Sequence, residues 1–110
     1  MALRERLESE AIRLSVHVVC ELLAGAELSG RRAEERQRVF RFCEAVEIAY
    51  PDDRFAPVYA RVQAALQRAG HVIGTMDLLI ATAAIVDQAP LVTRNRDEFR
   101  RVPGLDVIGY

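Results

Sequence analysis

The chain has 110 residues, the length of one ordinary globular domain, and we expect residues 1–110 to fold as a single domain. Hydrophobic residues make up 51% and charged residues 28%, which excludes a disordered composition. The net charge of −1 gives the molecule as a whole no attraction for polyanions. No apolar run approaches the roughly 18 residues of a membrane span, and no signal-peptide core follows Met1, so we predict a cytoplasmic protein.

The residue pattern at the start of the chain predicts a helix, a short strand and a second helix. Residues 3–10 are charged and predicted to be helical, and residues 12–15 alternate between apolar and polar, as in a strand. Ser15 is a suitable N-cap for the following helix. That helix is expected to end near Gly25 or Gly30.

The middle of the chain has the spacing of amphipathic helices. From Arg31 to about Ala49 apolar residues recur at helical intervals, but residues 46–50 alternate, so this end is either helix or a short strand. Residues 53–69 place their apolar side chains on one stripe that Gly70 ends.

The last third combines a buried helix with two short strands. Residues 75–88 are nearly apolar all round, with Thr75 as the predicted N-cap and Asp77 in the first turn. The run Leu91-Val92-Thr93 and residues 105–108 are strand candidates, and residues 95–102 between them predict one or two helical turns. Strands that alternate with helices predict an α/β fold with a parallel sheet covered by helices.

Polar side chains that follow the strand candidates are the candidate site. They are Glu21 in the helix after the first strand, Asp77 at the start of the buried helix, and Asn95 with Asp97 after Leu91-Val92-Thr93. Ligands of open α/β sheets bind beyond the carboxyl ends of strands. Mg²⁺ prefers oxygen ligands and needs only one or two direct carboxylates, so these few side chains are sufficient for a site.

Each of these residues also has a structural interpretation. Carboxylates near helix N-termini, such as Glu21 and Asp77, are favoured by the helix dipole alone. Asn95 can end a strand in a turn, and Asp97 can be a solvated residue at the start of a helix. The arginines nearby either hold RNA phosphates or pair with acids on an exposed helix; they are Arg94, Arg96, Arg100 and Arg101.

Other catalytic chemistries have no support in the sequence. His17 and His71 have no metal-ligand spacing with each other or with a cysteine. Cys20 and Cys43 lack C-x-x-C spacing and lie among apolar residues, which predicts reduced, buried thiols and neither a disulfide nor a zinc site. There is no serine nucleophile elbow and no phosphate-binding glycine loop.

Three blocks in the same order resemble the PIN-domain ribonucleases, in particular the VapC toxins of bacterial toxin–antitoxin pairs. Residues 15–26 resemble the block with an acidic residue in a serine-led helix, where Glu21 takes that place. Residues 70–81 resemble the block whose aspartate is a principal metal ligand, here Asp77. Residues 91–105 resemble the terminal block with a further Asp or Asn, here Asn95.

The resemblance implies a three-layer α/β/α fold and a ribonuclease. It implies Mg²⁺ or Mn²⁺ bound by Glu21, Asp77 and Asn95, with Asp97 as a nearby substitute carboxylate. It also implies RNA as substrate, a structured RNA such as tRNA in our hypothesis, with arginines that position its backbone. The implied partners are a VapB-like antitoxin that covers the active site and a second copy in a homodimer.

The sequence departs from the family pattern at its start. PIN domains normally begin with a hydrophobic strand that ends in an aspartate followed by Thr or Ser, and this sequence starts after that strand, so the first metal-binding aspartate is not in it. The alternative function is therefore a catalytically inactive PIN-like module that binds an antitoxin or dimerises. A purely structural α/β role explains the core but not the ordered blocks.

Overall fold

The computed structural model describes residues 13–109, so the expectations for residues 3–10 and for Ile12 lie outside the described residues. The chain divides into two compact units at Tyr50 and Pro51, and each is described by itself. The prediction of a single domain over residues 1–110 stays a prediction.

The first unit contains two short parallel strands and two helices. Its elements are β1 (Arg13–Ser15), α1 (Val16–Leu28), α2 (Arg32–Glu44) and β2 (Glu47–Ala49). In the parallel pair, Leu14 lies opposite Ile48. The Ser15 Oγ accepts a hydrogen bond of 3.0 Å from the backbone N–H of His17 and so caps α1, which confirms the predicted N-cap.

The second unit contains two short parallel strands and three helices. Its elements are α3 (Phe55–Arg68), α4 (Thr75–Val86), β3 (Leu91–Thr93), α5 (Arg96–Phe99) and β4 (Val107–Gly109). β3 and β4 are parallel, with Leu91 opposite Val107 and Thr93 opposite Gly109. Both strand pairs among the described residues are therefore parallel, which confirms the predicted α/β class.

The hydrophobic core cluster of the described residues lies in the second unit. α3 and α4 supply it together with α5 and the turn that follows α5; its buried members are Val62, Leu66, Leu78, Ala81, Phe99 and Val102. Thr82 is also fully buried, and its hydroxyl donates a hydrogen bond of 2.7 Å to the Leu78 carbonyl. Among the described residues, every buried polar atom of a side chain has a hydrogen-bond partner. The nearly apolar sequence of α4 is explained by this burial.

The start and the end of α4 differ from the prediction. Thr75 is the first helical residue and not the N-cap; the cap is Gly74, which has no side chain to accept a hydrogen bond. At the other end the helix stops at Val86 and not at residue 88, because Gln88 takes a positive φ of 54°.

The structure decides one alternative that the sequence left open and shortens one predicted helical segment. Residues 47–49 form strand β2 and not the end of a helix, since they pair with β1. Helical structure in residues 95–102 is limited to Arg96–Phe99. Gly70, with φ of 74°, ends the helical segment of α3 as predicted.

Within residues 13–109, no helix is both long enough and apolar enough to cross a membrane.

Candidate functional site

Glu21 lies in the middle of α1 in the first unit, with its side chain exposed. It is three residues after Val18 and four residues before Gly25, so it is a neighbour of both on the helix surface. Those two residues line a groove, described next; Glu21 is adjacent to them on α1 but is not among the residues that line it.

The groove has a volume of about 910 Å³ and is built entirely from the first unit. Apolar side chains from β1, α1 and α2 form most of it, and they include Leu14, Val18, Leu22, Ala26, Val39 and Phe42. Two pairs at its edge join Arg31 to Glu34 at 3.6 Å and Arg38 to Glu35 at 3.5 Å. Leu22 and Phe42, which line the groove, are 40% and 48% exposed, so apolar surface of the groove is accessible to solvent.

Asp77 lies in the first turn of α4 in the second unit, as predicted. Its carboxylate is half-buried and near the N-cap, where a Cβ added to Gly74 would lie 3.9 Å from Asp77 Oδ2. The next residue, Leu78, is 1% exposed and packed in the core. The core therefore fixes the start of α4, and α4 fixes the position of this carboxylate at the positive end of the helix dipole.

Asn95 follows β3 and its amide has a defined orientation. Its backbone N–H donates a hydrogen bond of 3.0 Å to the Thr93 hydroxyl, and its side-chain Nδ2 donates to Glu98 Oε2. An ionised carboxylate accepts hydrogen bonds only, so Glu98 keeps the amide nitrogen on its own side and directs the Asn95 oxygen away. Within residues 13–109, no hydrogen bond occupies that oxygen.

Glu98 is the residue of this region that the sequence analysis left out of the candidate site. Its carboxylate is tied to Asn95, and it is less exposed than Asp97 beside it. The spacing of three residues from Asn95 was a signal for this contact, because such residues are neighbours on a helical turn. The pattern alone also fitted a solvated carboxylate at the start of a helix.

The remaining candidates in this segment are exposed. The Asp97 side chain is 89% exposed, and its carboxylate accepts a hydrogen bond from the Arg100 guanidinium. Arg94 and Arg96 follow β3 and are also exposed. The structural interpretation of paired charges is thus correct for Asp97 and Arg100.

Asp77, Asn95 and Asp97 belong to the second unit, and Glu21 belongs to the first. Within residues 13–109, no three acidic, histidine or cysteine side chains lie close enough together to hold a metal ion by themselves. Both cysteines are free, as predicted, but the predicted burial is wrong for Cys20, which is exposed, and Cys43 is only partly buried.

His17 is half-buried, with its Nδ1 2.9 Å from Ser15 Oγ. Burial lowers the pKa of its imidazole below the usual value of histidine, because it disfavours the charged form.

The comparison with known proteins identifies the family. The sequence pattern of the PIN domain matches residues 1–105. Ribonuclease VapC2 of Rickettsia felis is 33% identical over 98 residues, which make up 89% of this chain and 73% of that protein. The chain belongs to the VapC group of the PIN-domain family.

A second relative and a solved structure agree with this assignment. The tRNA(fMet)-specific endonuclease VapC of Salmonella typhimurium is 30% identical to this PIN domain over 107 residues, or 96% of this chain and 81% of that protein. The crystal structure of VapBC2 from Rickettsia felis bound to a DNA fragment from its promoter matches with a TM-score of 0.91 at 30% identity, covering 98% of this chain and 81% of that chain. The PIN-domain resemblance and the fold class are thus confirmed.

Proposed function

We propose that this PIN domain is a metal-dependent endoribonuclease that hydrolyses RNA phosphodiester bonds and is the toxin of a type II toxin–antitoxin pair. The proposal rests on the family match over nearly the whole chain, together with the RNA-cleaving names of its VapC relatives. The geometry agrees with it, because the second unit presents a carboxylate in the first turn of α4 and an oriented amide oxygen after β3. These names do not favour the alternative of an inactive binding module.

PIN nucleases generally depend on a divalent cation, and the donor set of this chain fits one. Glu21, Asp77 and Asn95 offer oxygen atoms, which Mg²⁺ and Mn²⁺ prefer, and Asp97 is an additional carboxylate. Glu21, Asp77 and Asn95 would hold such a cation together with water and phosphate oxygens of the RNA. The bound cation would supply a water of lowered pKa and offset charge on the scissile phosphate.

The chain's own residues then have separate tasks. Asp77 holds its carboxylate in a position fixed by the core beneath α4, and Glu98 keeps the Asn95 oxygen turned outward. Arg94 and Arg96 bind phosphates of the RNA backbone. Arg100 does the same when a phosphate replaces Asp97 as the partner of its guanidinium. In the hydrolysis a water oxygen bonds to phosphorus, the P–O bond to the leaving nucleoside breaks, and the leaving oxygen takes up a proton.

The proposed substrate class is structured RNA, and tRNA is the first candidate. The name of the Salmonella relative, a tRNA(fMet)-specific endonuclease, supports this choice. No single residue of the described chain specifies which RNA is cut. The proposed place of action is the cytoplasm, where such RNA is present.

The proposed partner is a VapB-like antitoxin that docks in the groove of the first unit. The solved relatives include VapBC complexes from Rickettsia felis and Haemophilus influenzae. The groove is apolar and open, as expected for a surface that an amphipathic protein segment covers. Because Glu21 is adjacent on α1 to Val18 and Gly25, which line the groove, we expect an occupant to lie close to this carboxylate. The homodimer stays a prediction, which light scattering of the purified chain would check.

RNA cleavage by the purified protein tests the proposed function. Wild-type protein is incubated with tRNA in Mg²⁺ or Mn²⁺ and in EDTA, beside Asp77→Asn and Glu21→Gln. The matched controls are Asp53→Asn and Glu44→Gln, which remove exposed carboxylates of other segments. We expect metal-dependent cutting that falls by more than about 100-fold in the two site variants and not in the controls.

Calorimetric titration with Mn²⁺ gives a second reading that does not depend on turnover. Asp77→Asn should weaken Mn²⁺ binding while its circular dichroism spectrum stays that of the wild type. A folded protein that neither binds Mn²⁺ nor cuts RNA, yet binds an antitoxin, would replace the nuclease with the binding module.

A further inference from the structure

Gly109 is the last residue of β4, paired with Thr93 at the end of β3. Its backbone does not require glycine, since the glycines with positive φ within residues 13–109 are Gly70 and Gly104. Glycine weakens a strand, because it has no side chain to pack and loses more conformational freedom on folding. A glycine at such a position often marks the close approach of another group.

The group that approaches is the side chain of Arg96. A Cβ added at Gly109 would lie 2.9 Å from Arg96 Cδ, 3.5 Å from its Cβ and 3.6 Å from its Cγ. The aliphatic stem of Arg96 therefore lies across the backbone of Gly109. Any side chain at position 109 must displace this stem, and the stem moves more easily than the strand because it is flexible.

This contact places a charged group at the ligand-binding end of the strand pair. Arg96 begins α5 three residues after the end of β3, and its guanidinium is bonded to the Cδ that lies over the end of β4. The carboxyl ends of parallel strands are where ligands of α/β sheets bind.

The Arg96 guanidinium also differs from its neighbours in its contacts. Arg100 donates to Asp97, and Arg94 has an interaction of its own. Within residues 13–109, the Arg96 guanidinium has no hydrogen bond or ion pair. Its stem is held by the strand while its charge is available to an anion, which is a suitable arrangement for binding phosphate.

We propose that Gly109 is a positioning residue for Arg96: its missing side chain lets the Arg96 stem lie across the end of β4, where the guanidinium binds a phosphate of the RNA substrate. This inference rests on the proposed ribonuclease function. It assigns to Gly109 an effect on RNA binding that operates only through Arg96.

Binding of RNA without metal separates this inference from catalysis. Fluorescence anisotropy of a labelled single-stranded RNA is measured in EDTA over a series of salt concentrations. The proteins are the wild type, Arg96→Ala, Gly109→Ala and the double variant. Arg68→Ala is the matched control, because it removes an exposed arginine at the end of α3. Thermal unfolding checks that each variant is folded.

Arg96→Ala should weaken binding roughly fivefold. It should also reduce the slope of log K against log salt by about 0.7, the value for one lost phosphate contact on a single strand. Gly109→Ala should weaken binding in the same direction without lowering the midpoint of thermal unfolding. In the double variant the added Gly109→Ala change should have no further effect, since the residue it displaces is gone. In Mg²⁺, both single variants should raise KM more than they lower kcat.

Three results would overturn the proposal. Unchanged affinity and salt slope in Arg96→Ala, with cleavage by the wild type intact, would reject the role of Arg96 and leave the ribonuclease function standing. Additive losses in the double variant would show that Gly109 acts without Arg96. Absence of RNA binding and of RNA cleavage by the folded wild type would reject the proposed function and this inference together.

Discussion

The same substitution at two leucines tests where the core of this PIN domain lies. Leu66 in α3 is 2% exposed and belongs to the core cluster of the second unit, while Leu28 at the end of α1 is 88% exposed. Both are changed to alanine, so the chemistry removed is identical. The structure predicts that the two variants differ because only one loses packed contacts.

The expected magnitudes follow from the burial. A fully buried leucine changed to alanine costs about 3 to 5 kcal/mol, as the sum of lost transfer free energy and the cavity left behind. Leu66→Ala should therefore lower the free energy of unfolding by about 3 kcal/mol, a large part of the roughly 5 to 15 kcal/mol of an ordinary domain. Leu28→Ala should change it by less than about 0.5 kcal/mol.

Urea denaturation followed by circular dichroism measures both values. With an m-value of about 1 to 3 kcal/mol per molar urea, the midpoint of Leu66→Ala should fall by roughly 1 to 3 M. Gln67→Ala, at the exposed next position of α3, is a further control that should leave the midpoint near that of the wild type. A loss below about 1 kcal/mol for Leu66→Ala, or equal losses at both leucines, would refute the assignment of the core.

Substitutions at four other residues have expected outcomes that unfolding or titration can check. Ser15→Ala removes the side-chain cap of α1 and should cost about 1 kcal/mol in urea denaturation, whereas Ser15→Thr should keep most of it. Gly70→Ala forces alanine into a positive φ of 74° and should cost about 1 kcal/mol; Gln88→Gly removes the same strain at φ of 54° and should raise the thermal midpoint. Hydrogen bonds from Arg54 lower the pKa of Asp52 to about 2 from 3.8, so Arg54→Ala should return it toward 3.8 in an NMR titration. The stabilisation from this pair is present above pH 4 and is lost as the pH falls toward 2, and an unchanged pKa of Asp52 in the variant would contradict the pairing.

Helix positions could be predicted where local signals and packing agree. The helix that begins after Ser15 and the helix that Gly70 ends both have a capping residue beside a periodic apolar pattern. The predicted cap at Thr75 was wrong, because threonine and the preceding glycine are both acceptable there and only the path of the chain into α4 selects between them.

The candidate site could be predicted in its residue types and only partly in its contacts. Asp77 in a first turn was evident from the sequence. The amide orientation of Asn95 was not evident, because it depends on a hydrogen bond to Glu98. From the sequence alone, Glu98 could equally be a solvated carboxylate. The stem of Arg96 over Gly109 joins residues 13 positions apart, and no local pattern encodes such a contact.

The sequence by itself determined the α/β class, the parallel direction of the strands, the family, and the positions of Glu21, Asp77 and Asn95 along the chain. These follow from apolar periodicity, capping residues and ordered motifs, which are local properties. The tertiary structure alone decided that residues 47–49 are a strand, that Glu98 orients Asn95, and that the space at Gly109 is filled by Arg96. The strand pairing and the contact between Arg96 and Gly109 depend on which distant segments meet, and burial of the core sets that. The contact between Glu98 and Asn95 is local, but the sequence pattern fits a solvated carboxylate as well.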